Sequence, residues 1–288
     1  KKTAQDDTTA KQNKVRQHNG SSNDPSPLRY LNCMVILGIA PTPSPPSVDE
    51  VKSPKLVLDN KTVFETLDGT TRLYGMPFTP PTFSTEGQTM WQLSFPITEE
   101  HALFLSQTKS KLKEVALERC QQWHDPIPFL LKSTPDHLIS GYPIYDREVG
   151  RQLDGALRCD GEEEEKDVPV TLMGDAAHPM SPFKGQGANQ ALLDAILLAR
   201  VLHRTIITTN SDSRQEEQRN AKEIETLLPK ALEWFENEII SRSSSKVISS
   251  HEAASYLHDK VSLEHDNRTR MKAWRGRCVV DRKGDALT

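Results

Sequence analysis

The segment Val168 to Ala191 constrains the fold of this chain more than any other, because it joins an apolar run, separated glycines and a helical pattern. Val170 to Met173 predicts a short buried strand, and Gly174 permits a tight exit from it. Gly185 and Gly187 permit positive φ angles and a close approach of backbone to a ligand. The apolar positions that follow predict a buried helical stripe: Leu192, Leu193, Ile196, Leu197 and Leu202. The segment is therefore predicted to fold as strand, turn, loop and helix.

The order of these parts predicts a ligand site between the strand and the helix. Asp175 places a carboxylate at the strand's C-terminal end, where ligands of open α/β sheets bind. The helix begins beside the glycines, so its free N–H groups and positive dipole end stabilise negative charge. A carboxylate repels a phosphate but accepts hydrogen bonds from a sugar-like hydroxyl. The site therefore suits a ligand with a polyol chain and an electron-rich head, and a reduced flavin is such a ligand.

The part of the chain before this segment reads mainly as strands. Leu31 to Ala40 predicts a buried strand, and Val57 to Ile97 predicts three or four antiparallel strands. Within that stretch Asp68-Gly69 is a strong hairpin-turn dipeptide. Leu112 to Trp123 changes to a helical period, and Leu138 to Tyr145 is extended again.

The C-terminal third reads as helical. Apolar residues between Ile224 and Ile239 recur at three and four, with Pro229 either kinking the helix or opening a second one. Val247, Ala254 and Leu257 suggest a last helix. Residues 260–288 are too polar and basic to assign.

Composition excludes several classes of protein. The formal charge of −4 over 288 residues argues against a nucleic-acid binder, and no apolar run reaches the roughly 20 residues that span a bilayer. The four cysteines are widely scattered, which predicts reduced thiols, a cytoplasmic protein and no metal site. Glu162 to Glu165 is either an acidic docking patch or, more simply, part of a solvated insertion.

The glycine-rich segment also resembles a known family. Gly174-Asp175-Ala176-Ala177-His178, followed by Pro182, Gly185-Gln186-Gly187 and Asn189, resembles the second FAD fingerprint of class A flavoprotein monooxygenases. These are aromatic-ring hydroxylases of the para-hydroxybenzoate hydroxylase type. Arg72 to Phe78 and Trp91 to Pro96 look like the family's substrate-domain sheet, and the resemblance spans roughly residues 28–257.

The resemblance implies a cofactor, a reaction and a set of binding residues. Asp175 would bind a ribityl hydroxyl of FAD, Pro182 would lie against the isoalloxazine, and backbone N–H groups would meet its pyrimidine edge. The implied set is Gly174, Asp175, Pro182, Gly185, Gln186, Gly187, Ala188 and Asn189. NAD(P)H reduces the flavin in this family, and a flavin C4a-hydroperoxide, formed with O₂, hydroxylates an aromatic or other apolar small molecule. No side chain is expected to be catalytic: His178 is expected to support the loop rather than act as a base, and Trp91 either lines the pocket or belongs to the core.

The expected fold class is α/β (α+β): an incomplete three-layer FAD-binding domain, an antiparallel substrate-domain sheet and C-terminal helices. The expected divisions are a disordered polar leader (1–27), the substrate domain (28–140), the C-terminal part of the FAD-binding domain (141–204), C-terminal helices (205–259) and a polar tail (260–288). The sequence contains no Gly-x-Gly-x-x-Gly, so the resemblance covers the family's C-terminal two-thirds. We therefore expect weak FAD binding or none, and keep one alternative: a non-catalytic remnant or binding module of the same origin.

Overall fold

A computed structural model describes residues 28–42, 61–82, 87–148, 170–207, 214–264 and 277–285. Its centre is one mixed sheet with the strand order β5-β1-β4-β3-β2-β6. The strands are β1 (Leu28–Pro41), β2 (Val63–Leu67), β3 (Arg72–Thr79), β4 (Gln88–Pro96), β5 (Ile139–Arg147) and β6 (Arg277–Asp281). The first five pair antiparallel, which confirms the predicted antiparallel sheet, and β6 adds a parallel edge strand beside β2.

The predicted hairpin between β2 and β3 forms at Asp68-Gly69. Gly69 has a φ of 87°, which a residue with a side chain rarely adopts. Asp68 Oδ1 accepts hydrogen bonds from the backbone N–H groups of Thr70 and Thr71, at 2.9 and 2.6 Å. The local turn chemistry therefore fixes the register of this part of the sheet.

One face of the sheet packs against three helices, α1 (Glu99–Gln107), α2 (Lys109–Cys120) and α3 (Ile127–Ser133). Alternate residues of β4 supply the centre of this core: Trp91, Leu93 and Phe95 are fully buried. Trp91 Nε1 donates to Thr134 Oγ1 at 2.8 Å. Trp91 is therefore a core residue on the face of the sheet that packs against α1, α2 and α3.

The other face of the sheet carries the elements of the predicted site. It packs against the C-terminal half of a long helix, α5 (Arg214–Tyr256), and against a short turn at Pro182–Lys184. A further helix, α4 (Gly187–Leu202), lies beside α5. The sheet is thus covered on both faces, with the glycine-rich segment on the side opposite α1, α2 and α3.

Three expectations from the sequence were wrong. Residues 170–173 form no strand, because no described strand lies beside them to complete a ladder. The expected buried stripe of α4 is largely exposed: Leu192, Leu193 and Ile196 are 65%, 45% and 50% exposed. The apolar spacing correctly predicts the helix α4. Among the described residues, however, no element covers the face that carries these three side chains.

The third correction concerns the C-terminal third, where one helix replaces two. α5 continues through Pro229 to Tyr256, so Val247 and Ala254 extend the same buried stripe. β6 lies in the region that the sequence left unassigned. The leader and the acidic run at 162–165 lie outside the described residues.

No helix in the described ranges is both long and apolar enough to cross a membrane. Within those ranges there is also no cluster of three or more potential metal-binding side chains.

Candidate functional site

The candidate site is the loop from Gly174 to Gln186, which runs into the start of α4. Gly174 has a φ of 59° and opens a short helical turn, and Gly185 has a φ of 61° and closes a second turn. A Cβ on Gly174 would lie 3.2 Å from Ala191 Cβ of α4, so a side chain there would crowd the helix. The loop therefore needs glycine at Gly174 for both backbone angle and space.

A buried carboxylate on α4 holds the beginning of this loop. Asp194 Oδ2 accepts the backbone N–H of Gly174 at 2.8 Å and lies 2.7 Å from His178 Nε2. Asp194 Oδ1 accepts a hydrogen bond from Arg242 of α5. His178 is 3% exposed, and it contacts Asp194 of α4, the helix that directly follows the loop. A residue that supports the loop is expected to make such a contact.

Further hydrogen bonds hold the rest of the loop to the sheet and to α5. Arg147, at the end of β5, donates to the carbonyl oxygen of Ala176 at 2.6 Å. The Ser181 hydroxyl donates to the Ser250 carbonyl oxygen at 2.5 Å. The loop is thus attached to α4, β5 and α5, although it has no regular secondary structure over most of its length.

Phe183 brings the loop against the sheet. Its ring lies 5.4 Å from the Arg72 guanidinium carbon and 5.2 Å from the His258 ring centroid, the latter in an edge-to-face arrangement. Phe183 is 6% exposed and directly follows Pro182, the residue expected beside the isoalloxazine. This contact determines where Pro182 stands relative to the sheet.

A buried polar cluster on the same face of the sheet surrounds that contact. Arg72 pairs with Glu65 across β2 and β3, and both are nearly inaccessible to solvent. His258 donates from Nδ1 to the Ala254 carbonyl at 2.7 Å and accepts from the Ser94 hydroxyl at Nε2, 2.8 Å away. Burial, with Arg72 nearby, lowers the pKa of His258 to about 4, so the ring is neutral near pH 7.

Cys33 of β1 completes this cluster, with its Sγ 3.8 Å from His258 Nε2. Burial raises the pKa of the Cys33 thiol to about 12. The thiol is therefore protonated and is a poor nucleophile. Among the described residues, Cys33 and Cys120 are buried free thiols.

The expected cofactor residues come together at the start of α4. Asp175 is exposed, and its Oδ1 lies 3.6 Å from the position that a Cβ on Gly187 would occupy. The first helical hydrogen bond runs from Gln190 N–H to Gln186 O, so the N–H groups of Gly187, Ala188 and Asn189 have no partner within the helix. Ala188 and Asn189 are exposed, and Gln186 donates its side-chain amide to Lys184 O rather than capping α4.

This arrangement fits the isoalloxazine and ribityl parts of FAD. A carboxylate stands beside free N–H groups, and a Cβ on Gly185 would meet nothing within 4 Å, so the backbone is open to a ligand there. The carboxylate matches ribityl hydroxyls, and the helix start matches the electron-rich pyrimidine edge. The sequence did not point to Asp194 or Arg242, because a polar residue inside an apolar helix pattern carries no signal about its distant partner.

Comparisons with known proteins show which proteins this chain resembles. Residues 163–225 match the family model described as FAD binding domain. The chain is 37% identical over 118 residues to the aurachin C monooxygenase/isomerase of Stigmatella aurantiaca, covering 41% of this chain and 26% of that protein. It is 32% identical over 83 residues to the 6-hydroxynicotinate 3-monooxygenase of Bordetella bronchiseptica, covering 29% and 18%. The chain thus matches less than a third of these relatives' lengths.

Solved structures share the fold. The 2,6-dihydroxypyridine-3-hydroxylase of Arthrobacter nicotinovorans aligns with a TM-score of 0.55 at 16% identity, over 84% of this chain and 55% of that one. Klebsiella pneumoniae HpxO, complexed with FAD and uric acid, aligns with a TM-score of 0.53 at 20% identity, over 82% and 47%. Residues 163–225 therefore resemble a FAD-binding domain, and the chain is similar in sequence to monooxygenases over part of its length and shares the fold of these solved structures.

Proposed function

We propose that this chain carries the flavin-contacting loop and the substrate sheet of a FAD-dependent monooxygenase. The reaction would be the NAD(P)H-driven hydroxylation of an aromatic or other apolar small molecule. The geometry of one loop carries the proposal. The Asp175 carboxylate lies at the exposed start of α4, and Phe183 of the same loop packs against the buried polar cluster on the sheet.

Each part of the loop has a distinct role toward the cofactor. Asp175 would accept a hydrogen bond from a ribityl hydroxyl, and Pro182 would pack against the ring system. The N–H groups of Gly187, Ala188 and Asn189 would stabilise negative charge on the pyrimidine edge. When bound, FAD supplies the redox chemistry, and the protein supplies orientation and exclusion of water.

The face of the sheet next to Phe183 would hold the substrate. Tyr74, Met76 and Met90 are half-buried there, and Gln92 adds a buried amide. Methionine and tyrosine side chains beside a buried amide suit a small aromatic compound with a polar substituent. The relatives named for hydroxynicotinate and dihydroxypyridine, and HpxO with uric acid, support a small aromatic or heteroaromatic substrate.

The direct test is a flavin titration followed by intrinsic protein and flavin fluorescence. We expect weak but saturable FAD binding to the wild type and about tenfold weaker binding to D175A, which corresponds to ~1.4 kcal/mol for one lost hydrogen bond to a charged group. D136A is the matched control, because Asp136 is an exposed carboxylate remote from the loop. NAD(P)H oxidation with small aromatic acids and heterocycles then tests the reaction.

Two results would contradict the proposal. Equal FAD affinities of wild type and D175A would show that Asp175 does not contribute to flavin binding. A folded wild-type chain that takes up no flavin at millimolar concentration would favour the non-catalytic remnant or binding module.

A further inference from the structure

We propose that Asp194 is the positioning residue of the flavin-contacting loop. It would hold Gly174, and with it Asp175, at a fixed place relative to the start of α4. The flavin part of this inference rests on the proposed function, whereas the positioning of the loop does not.

The contacts of Asp194 join three separate parts of the molecule. Its two oxygens bond the backbone of Gly174, the ring of His178 and the guanidinium of Arg242. The Asp194 side chain is fully buried, and His178 and Arg242 are 2% and 26% exposed in their side chains. The loop, α4 and α5 therefore meet at one carboxylate.

The chemistry of these contacts fixes the orientation of each partner. Carboxylate oxygens accept hydrogen bonds, so Arg242, the Gly174 backbone N–H and His178 Nε2 all donate to Asp194. His178 Nδ1 is buried without a partner among the described residues, so the bond to Asp194 is what orients the ring. Arg242 also donates to Gln190 Oε1 at 3.2 Å, one turn earlier on α4, which fixes α4 along its own axis.

The position of Gly174 determines the position of the carboxylate that follows it. Asp175 is the next residue, and its Oδ1 lies beside Gly187 at the start of α4. A shift of Gly174 by an ångström would therefore change the spacing between the Asp175 carboxylate and the free N–H groups of α4. Because both would contact the same flavin, that spacing matters for binding.

Asp146 provides a matched control for a buried carboxylate. It too is fully buried, and it pairs with one arginine and one histidine: Arg29 at 2.9 and 3.1 Å, and His251 at 2.8 Å. Asp146 joins β1, β5 and α5, and its carboxylate bonds no atom of the loop. Its neighbour Arg147, by contrast, donates to the carbonyl oxygen of Ala176 in the loop.

The test compares D194N with D146N, since each substitution removes a charge with almost no change in shape. Hydrogen exchange followed by mass spectrometry reports on the loop without any cofactor. We expect exchange over residues 174–187 to become at least ~10-fold faster in D194N and to stay within about twofold of wild type in D146N. FAD affinity should fall about tenfold or more in D194N and stay within about twofold in D146N, at comparable losses of melting temperature.

The outcomes separate the two claims. Unchanged exchange of the loop in D194N, or equal changes in both variants, would overturn the positioning role. Absence of flavin binding by the wild type would overturn the proposed function, and the exchange experiment would still decide the role of Asp194. If D194N does not fold, H178Q tests the same contact, with faster exchange over residues 174–187 as the expected result and wild-type exchange as the refuting one.

Discussion

Acidification from pH 7 to pH 5 is expected to destabilise the folded chain through one buried imidazole, that of His258. The ring is 8% exposed and lies between α5 and the sheet, with Phe183 against its edge. Burial is the main cause that lowers its pKa, Arg72 acts in the same direction, and the Ala254 carbonyl together with Glu65 and Asp68 opposes them. Protonation would place a charged ring in this cluster and would remove the acceptor for the Ser94 hydroxyl.

The magnitude follows from the difference between the folded and unfolded pKa values. The pKa is about 4 in the folded chain, against the usual value of 6.5 for a histidine exposed to water. Between these values the unfolded chain binds more protons, so stability falls as the pH falls through this window. The loss attributable to His258 is about 2 kcal/mol between pH 7 and pH 5, and it approaches ~3 kcal/mol below pH 4.

The assay is urea unfolding at pH 7, 6 and 5 for wild type and H258Q. H258Q keeps a donor and an acceptor but does not titrate, so its pH dependence should be shallower than that of wild type by about 2 kcal/mol over this range. L257V is the control, because it disturbs the neighbouring core without removing a titrating group. Parallel pH dependences for wild type and H258Q would refute the argument that His258 is held neutral.

Three further predictions follow from packing, burial and the flavin site. A Cβ on Gly38 would lie 2.4 Å from the Trp91 ring, which Thr134 holds in place, so G38A should lower the free energy of unfolding in urea by about 3 kcal/mol or more. A Cβ on Gly141 would meet only flexible side-chain ends, so G141A should lower it by about 1 kcal/mol or less. Equal losses in the two variants would contradict this prediction. Cys33, with its thiol pKa raised to about 12, should resist iodoacetamide at pH 8 until the chain unfolds, and rapid native labelling detected by mass spectrometry would show that the thiol is accessible. The dissociation constants of FMN and FAD should agree within about threefold, because the described site would contact only the isoalloxazine and ribityl groups. A preference for FAD of ~100-fold in the flavin titration would require an adenosine site elsewhere in the chain.

Local sequence signals predicted the parts of the fold that local chemistry decides. The Asp68-Gly69 turn could be identified because aspartate and glycine supply the hydrogen bonds and the positive φ that a tight hairpin needs. The alternation along β4 placed Trp91, Leu93 and Phe95 on one face, and the structure confirms a strand there. Gly185 adopts the positive φ that was expected of it, whereas Gly187, for which the same was expected, lies in the first turn of α4 without one.

The same signals were insufficient wherever a distant partner decides the outcome. The apolar residues of α4 predicted a buried face, but the residues that are buried include Gln190 and Asp194, four positions apart. Their burial depends on Arg242, which is 48 positions away from Asp194. A single sequence contains no information about such a pairing, just as it could not indicate that β6 would join β2 across more than two hundred residues.

The continuity of α5 has a consequence for how the two halves of the proposed site are aligned. Arg242 and His251 lie nine positions apart, ~14 Å along the helix and ~180° around it, so they reach from opposite flanks of its buried stripe. One bonds the carboxylate that holds the loop, and the other bonds the carboxylate that joins β1 to β5. The helix can therefore neither slide nor roll without breaking one of these bonds. A one-residue insertion between the two positions would turn one contact by ~100° relative to the other, which makes the alignment of loop and sheet depend on the length of this helix segment.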